Sequence, residues 1–117
     1  MGAATAALAV MLGAFGAHAL RGKLPEHLVN AFTTGVQYQM YHALALLLVG
    51  FLVQLYPASH LLKWSGALFA VGILLFSGSL YALALTQIKL FGPITPLGGV
   101  AFILGWLILL VGLLKSA

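Results

Sequence analysis

LGGVAFILGWLILLVGLL, residues 97–114, contains no charged, amide or hydroxyl side chain. An apolar run of this length matches the hydrocarbon thickness of a bilayer and predicts a transmembrane helix. Working back from it, the loop 87–96 carries Gly92, Pro93 and Pro96, and a second apolar run covers 62–86. Pro57 stops the segment before that, because a residue preceding proline is driven out of helical geometry. That segment reads as one helix from Pro25 to Tyr56, about 45 Å long at the helical rise and longer than a bilayer core. Its membrane portion is placed at 37–56, with 26–36 as an interfacial lead-in holding His27, Asn30, Thr33 and Thr34. The first span is 2–20, ended by the polar turn Arg21-Gly22-Lys23-Leu24-Pro25-Glu26. It is a helix to be kept rather than a signal peptide, since no basic segment precedes it.

The expectation is therefore an all-α membrane protein, a single domain over 1–117 built as an antiparallel bundle of four transmembrane helices with short loops. Composition agrees: 63% of residues are hydrophobic and 5% charged, with mean hydropathy +1.16. Five basic residues stand against one acid. They are scattered, whereas nucleic-acid binding needs a clustered basic face. The absence of cysteine excludes disulfide exchange, thiolate metal sites and cysteine nucleophiles. The one acid, Glu26, lies in a loop. With no carboxylate inside a span, proton coupling of the small multidrug antiporter kind has no carrier. Paired-carboxylate hydrolysis, two-metal chemistry and a serine–histidine–acid triad also lack their residues.

Small residues recur at helical spacing. Ala9, Gly13 and Ala17 are four apart in the first span, and Gly98, Gly105 and Gly112 seven apart in the fourth. In lipid, small residues let helix backbones approach closely, so both sets are read as packing faces.

Antiparallel packing brings the end of span one, the start of span two, the end of span three and the start of span four to one side. That end collects most of the polar side chains. The candidate cluster there is His18, Arg21, Gln39, His42, Ser77, Ser79, Tyr81 and Thr95. With 37 as the membrane boundary, His18 and His42 are expected within about one helical turn of each other in depth. Ionisable residues inside spans are costly and often functional. The pair is thus read as ligands for haem or a metal ion, as a quinone- or lipid-binding or proton-relay pair, or as histidines that each bond a neighbouring helix. The helix-bonding reading carries most weight, because two histidines alone make a weak ligand set. The serines of Phe76-Ser77-Gly78-Ser79 are read the same way, as helix-bonding hydroxyls before substrate contacts.

Taken together, Gly13-Ala14-Phe15-Gly16-Ala17-His18-Ala19-Leu20, Tyr38-Gln39 with His42-Ala43-Leu44-Ala45-Leu46, Phe76-Ser77-Gly78-Ser79-Leu80-Tyr81, and Thr95-Pro96-Leu97-Gly98-Gly99 with Gly105-Trp106 resemble the YgdD/YwdK-like family of small bacterial membrane proteins. This is a domain of unknown function with small eukaryotic transmembrane relatives. The resemblance covers the whole chain. It implies a four-helix protein of the bacterial inner membrane with N- and C-termini cytoplasmic, and it implies no activity. Charge is silent on orientation: Arg21, Lys23 and Lys89 lie on one side, Lys63 and Lys115 on the other, too even a split for the positive-inside rule.

The function expected is that of an accessory or structural membrane component, without catalytic residues, a resident cofactor or a metal site. The alternatives are a binding protein for haem, quinone or a lipid-like ligand using His18 and His42, and an oligomeric channel or transporter. Expected partners are the bilayer, a second copy or a larger membrane complex.

Overall fold

The computed structural model describes residues 1–116. It contains four helices long and apolar enough to cross a membrane. We label them α1 (Gly2–Leu20), α2 (Glu26–Leu55), α3 (His60–Thr86) and α4 (Ile94–Ser116); successive helices are antiparallel.

The ends follow local chemistry. Gly22 turns the chain between α1 and α2 at φ +82°, a left-handed conformation in which a side chain would be strained. α2 runs unbroken for 30 residues and stops before Pro57. Ser59 caps α3, its hydroxyl accepting from the Leu62 N–H at 3.3 Å, so α3 begins two residues earlier than its apolar run. α4 likewise begins at Ile94 rather than Leu97, because Pro96 falls in the first turn, where a missing N–H costs nothing. Two wider, π-type turns interrupt the regular helix, Gly16–Leu20 at the end of α1 and Ile73–Ser77 inside α3.

The molecule is a slab of 50 × 26 × 15 Å. Its backbones neighbour one another in chain order: α1 lies against α2 alone, α2 also against α3, and α3 against α4. Aromatic side chains close the remaining gap between α2 and α4.

The glycine repeat of α4 faces α3. A Cβ on Gly98 would strike the Phe76 backbone, on Gly105 the Phe69 ring, and on Gly112 the side chains of Leu61 and Leu62. The face of α1 differs from the four-residue series. Ala9, Gly13 and Gly16 meet α2, Gly13 against Val36 and Gly16 against Phe32, while Ala17 is exposed. A strict four-residue step drifts about 40° per step around a helix of 3.6 residues per turn, so the contact passes from Gly13 to Gly16.

Segment 26–36 is the first third of the α2 helix and packs against its neighbours. Leu28 and Phe32 are buried in one core cluster with Leu20 and Ala84. A second cluster, with Ala45, Val49, Leu62, Phe69, Phe102 and Leu109, fills the other half.

Candidate functional site

α2 carries the two largest buried polar side chains, Gln39 and His42, at 3% and 4% exposure. A separation of three residues sets both on the inner side of the helix, where α1, α3 and α4 supply their partners.

Gln39 ties three helices together. Its Nε2–H donates to the Thr5 carbonyl of α1 at 2.9 Å, and its Oε1 accepts from the Tyr81 hydroxyl of α3 at 2.6 Å. Three further bonds flank this relay. The Ser77 hydroxyl donates to the Gly35 carbonyl at 2.7 Å. Ser79 donates to the Phe76 carbonyl at 2.9 Å and meets the Thr95 hydroxyl of α4 at 2.5 Å. Since the Ser79 proton is used, Thr95 is the donor of that last bond.

His42 binds in the opposite direction along α2. The Trp106 indole N–H lies 3.0 Å from its Nε2. Indole is only a donor, so Nε2 accepts, Nδ1 carries the proton, and Nδ1–H donates to the Tyr38 carbonyl at 2.7 Å. The imidazole stacks on Phe102 with ring centroids 3.6 Å apart and 11° between planes. Phe69 and Trp106 pack around it. Both nitrogens are committed, and no lone pair is left to ligate a metal or haem.

His18 is exposed on the last turn of α1, and the structure does not bring it to His42. The Gln39–Thr5 bond sets the register between α1 and α2. From Thr5, His18 lies thirteen residues, or about 20 Å, toward one end of the slab, whereas His42 lies one turn from Gln39 toward the other. The one-turn depth match expected from the sequence is thereby corrected to roughly 24 Å. The cause is that α1 packs beside the first half of α2, Gly16 against Phe32 and Gly13 against Val36. Arg21 is exposed as well and borders a cavity of about 380 Å³ with Glu26, Asn30 and Thr33.

Of the eight candidate residues, the structure gathers Gln39, Ser77, Ser79, Tyr81 and Thr95 around the junctions of α1 to α4. It gives His42 to an aromatic nest and leaves His18 and Arg21 outside. Sequence reasoning missed Thr5, which contributes a backbone carbonyl and carries no side-chain signal. Trp106 entered the sequence reading only within the Gly105-Trp106 motif. A mid-span indole N–H that needs a buried acceptor is the signal that points to His42.

Every buried side-chain nitrogen and oxygen among the described residues has a hydrogen-bond partner, and no group of three or more His, Cys, Asp or Glu is placed to hold a metal ion among them. Chemically the arrangement fastens helices. Interhelical bonds in lipid are worth about 0.6 kcal/mol on average and about 1.7 at most. Tyr81→Phe and Ser77→Ala should each lower stability by about 0.5–1.5 kcal/mol, read from unfolding in mixed detergent micelles. A loss above about 3 kcal/mol from either would show that these bonds do more than fasten.

Comparison with known proteins follows the same lines. Residues 12–99 match the family model described as "Protein of unknown function (DUF423)". UPF0382 membrane protein YwdK of Bacillus subtilis is 52% identical over 115 residues, covering 98% of this chain and 94% of that protein. UPF0382 membrane protein SAB0533 of Staphylococcus aureus is 49% identical over 117 residues, covering 100% and 94%. UPF0382 membrane protein SERP0230 of Staphylococcus epidermidis shows the same identity and coverage. No solved structure matches the chain.

Proposed function

We propose, for a chain that belongs to the DUF423 family, that this small integral membrane protein acts as an accessory or structural component of the bacterial inner membrane. Its partner would be a second copy or a larger membrane complex, and it would perform no catalysis. The observation that carries this reading is the internal use of its polar groups. Gln39, His42, Ser77 and Ser79, all buried, each make a hydrogen bond to a neighbouring helix, and the remaining bonds of His42 and Ser79 go to carbonyls of their own helices. A catalytic or haem-ligating centre needs groups left free for substrate or metal, and His42 has neither nitrogen free.

The test joins two measurements on protein expressed at its native level. In mild detergent it should migrate in an assembly larger than the 12.3 kDa chain, and the purified protein should show no visible absorbance band. A monomer with a Soret band that disappears in His42→Ala would overturn the proposal.

The inner membrane is supported by the fold, since outer-membrane spans are closed β-barrels. We place the N-terminal end of α1 and the C-terminal end of α4 on the cytoplasmic side, as the family resemblance implies. The chain has no cysteine, so single cysteines report topology directly. An impermeant maleimide should label Lys89→Cys in intact spheroplasts and Lys115→Cys only after permeabilisation. The reverse pattern, or equal labelling of both, would overturn that orientation.

A further inference from the structure

Away from the helix ends, exposed amide and hydroxyl side chains occur on α2 alone among the described residues. Asn30, Thr33, Gln37 and Tyr41 form a row there, which the exposed Leu44 and Leu48 continue. Steps of 3, 4, 4, 3 and 4 residues average one helical turn, so the row runs straight along α2 for about 27 Å. Gln37 stands about 160° round the helix from Gln39, and the row thus faces away from the packed side of α2. The side-chain hydrogen bonds that join helices among the described residues use none of its four polar members.

The surroundings of the row follow from packing. Gly13 of α1 meets Val36 and Gly16 meets Phe32. Thr33 and Gln37 therefore stand beside the part of α1 that exposes Met11, Ala14 and Phe15. A surface of that kind suits hydrocarbon, which offers an amide or hydroxyl no partner. Polar side chains on such a surface bond across to another helix.

The chemistry of the row selects which helix. Amides and hydroxyls both donate and accept, so the row is complementary to itself. A two-fold axis parallel to α2 sets each residue opposite its own copy, amide to amide at Gln37, with Leu44 and Leu48 packing beyond. Gly13 and Ala17 line a shallow groove of about 130 Å³ beside Thr33 and Gln37, which gives incoming side chains room. At the head of the row Arg21 and Glu26 border one cavity of about 380 Å³. Two copies bring their acids and arginines to the same level there, so the ends of the paired faces attract. A phospholipid headgroup is the wrong length: its layer is roughly 6 Å deep, whereas Asn30 to Tyr41 spans about 16 Å.

We propose that two copies of this chain pair in parallel through the outer face of α2, with Gln37 hydrogen-bonded to its own copy across the two-fold axis. The proposal rests on the accessory reading, from whose partners it selects the second copy.

The experiment uses the full chain in native membranes. Gln37→Cys and Leu44→Cys, oxidised with copper phenanthroline, should each give a disulfide-linked dimer. Val10→Cys on α1 and Leu107→Cys on α4, equally exposed positions off the row, should not. No dimer from either row position, or as much from Leu107→Cys, would overturn the face. Cross-links from the row to a different protein alone would overturn the second copy as its occupant. Energy transfer between labelled copies in liposomes measures the amide pair. Gln37→Leu should need about fivefold more protein per lipid to associate, with the native unfolding temperature, and equal association would overturn the pairing at Gln37. A large assembly in mild detergent without row cross-links would sink this face and leave the accessory reading standing. Row cross-links in a protein with a Soret band would do the reverse.

Discussion

Gly98→Ala should be the most damaging single methyl that can be added to this protein, lowering stability by about 3 kcal/mol or more and reducing its yield in membranes. Overpacking a core typically costs about 1–3 kcal/mol, because neighbouring side chains can shift to make room. At Gly98 the obstacle is the Phe76 backbone, which is fixed in α3 and cannot move without parting the helices. Only close packing and a few polar bonds hold helices together in lipid, so a gap at this contact forfeits the attraction along the α3–α4 seam. Gly99→Ala is the matched control. Its Cβ would come no nearer than 3.9 Å to the Phe76 ring, and the change should be neutral within about 0.5 kcal/mol. Unfolding of both variants in mixed micelles checks the pair, and equal losses would show that the seam is looser than described.

The second large effect concerns the two intramembrane histidine candidates, which should respond oppositely. His42→Ala removes a ring buried to 4% exposure, opens a cavity beside Phe102 and deprives the Trp106 N–H of its acceptor. Truncating a buried aromatic to alanine costs about 3–5 kcal/mol, and an orphaned buried donor adds about 1–3. A loss near 4 kcal/mol is expected, together with a change in tryptophan emission as Trp106 loses its partner. Trp106→Phe removes the bond but keeps most of the packing, and should cost about 1 kcal/mol. His18→Ala, on an exposed position, should fall within about 0.5 kcal/mol of the native protein. A large loss at His18 would mean that a partner covers it in the membrane, and a small loss at His42 would refute the aromatic nest.

The candidate site shows where reading along the chain succeeds and where it stops. Gln39, Tyr81, Ser77, Ser79 and Thr95 were picked out because polar side chains in apolar runs need partners, and each does find one. Their pairing was not readable. Gln39 and Tyr81 are forty-two residues apart, and periodicity along one helix says nothing of rotation against another. The histidine pair failed for a related reason. Its depth match relied on a membrane boundary at Gln37, a guess from helix length, whereas Phe32 against Gly16 and Val36 against Gly13 pair α1 with the first half of α2.

By itself the sequence determined the class of solvent, the number of spans and the places where the chain turns between them. Those follow from terms summed along the chain: the cost of polar groups in hydrocarbon, the length a bilayer requires, and the stops set by Gly22, Pro57 and the loop around Pro93. It also determined the exclusions, since chemistry that needs a thiolate or a buried carboxylate cannot proceed without the residue. Only the tertiary structure decided the relative register of the helices, the coupling of His42 to Trp106 across sixty-four residues, and which face of α2 is left without a neighbour. Register and rotation depend on how two side-chain surfaces interlock. The energies involved are small contact terms, each set by both partners at once, and no single segment encodes them.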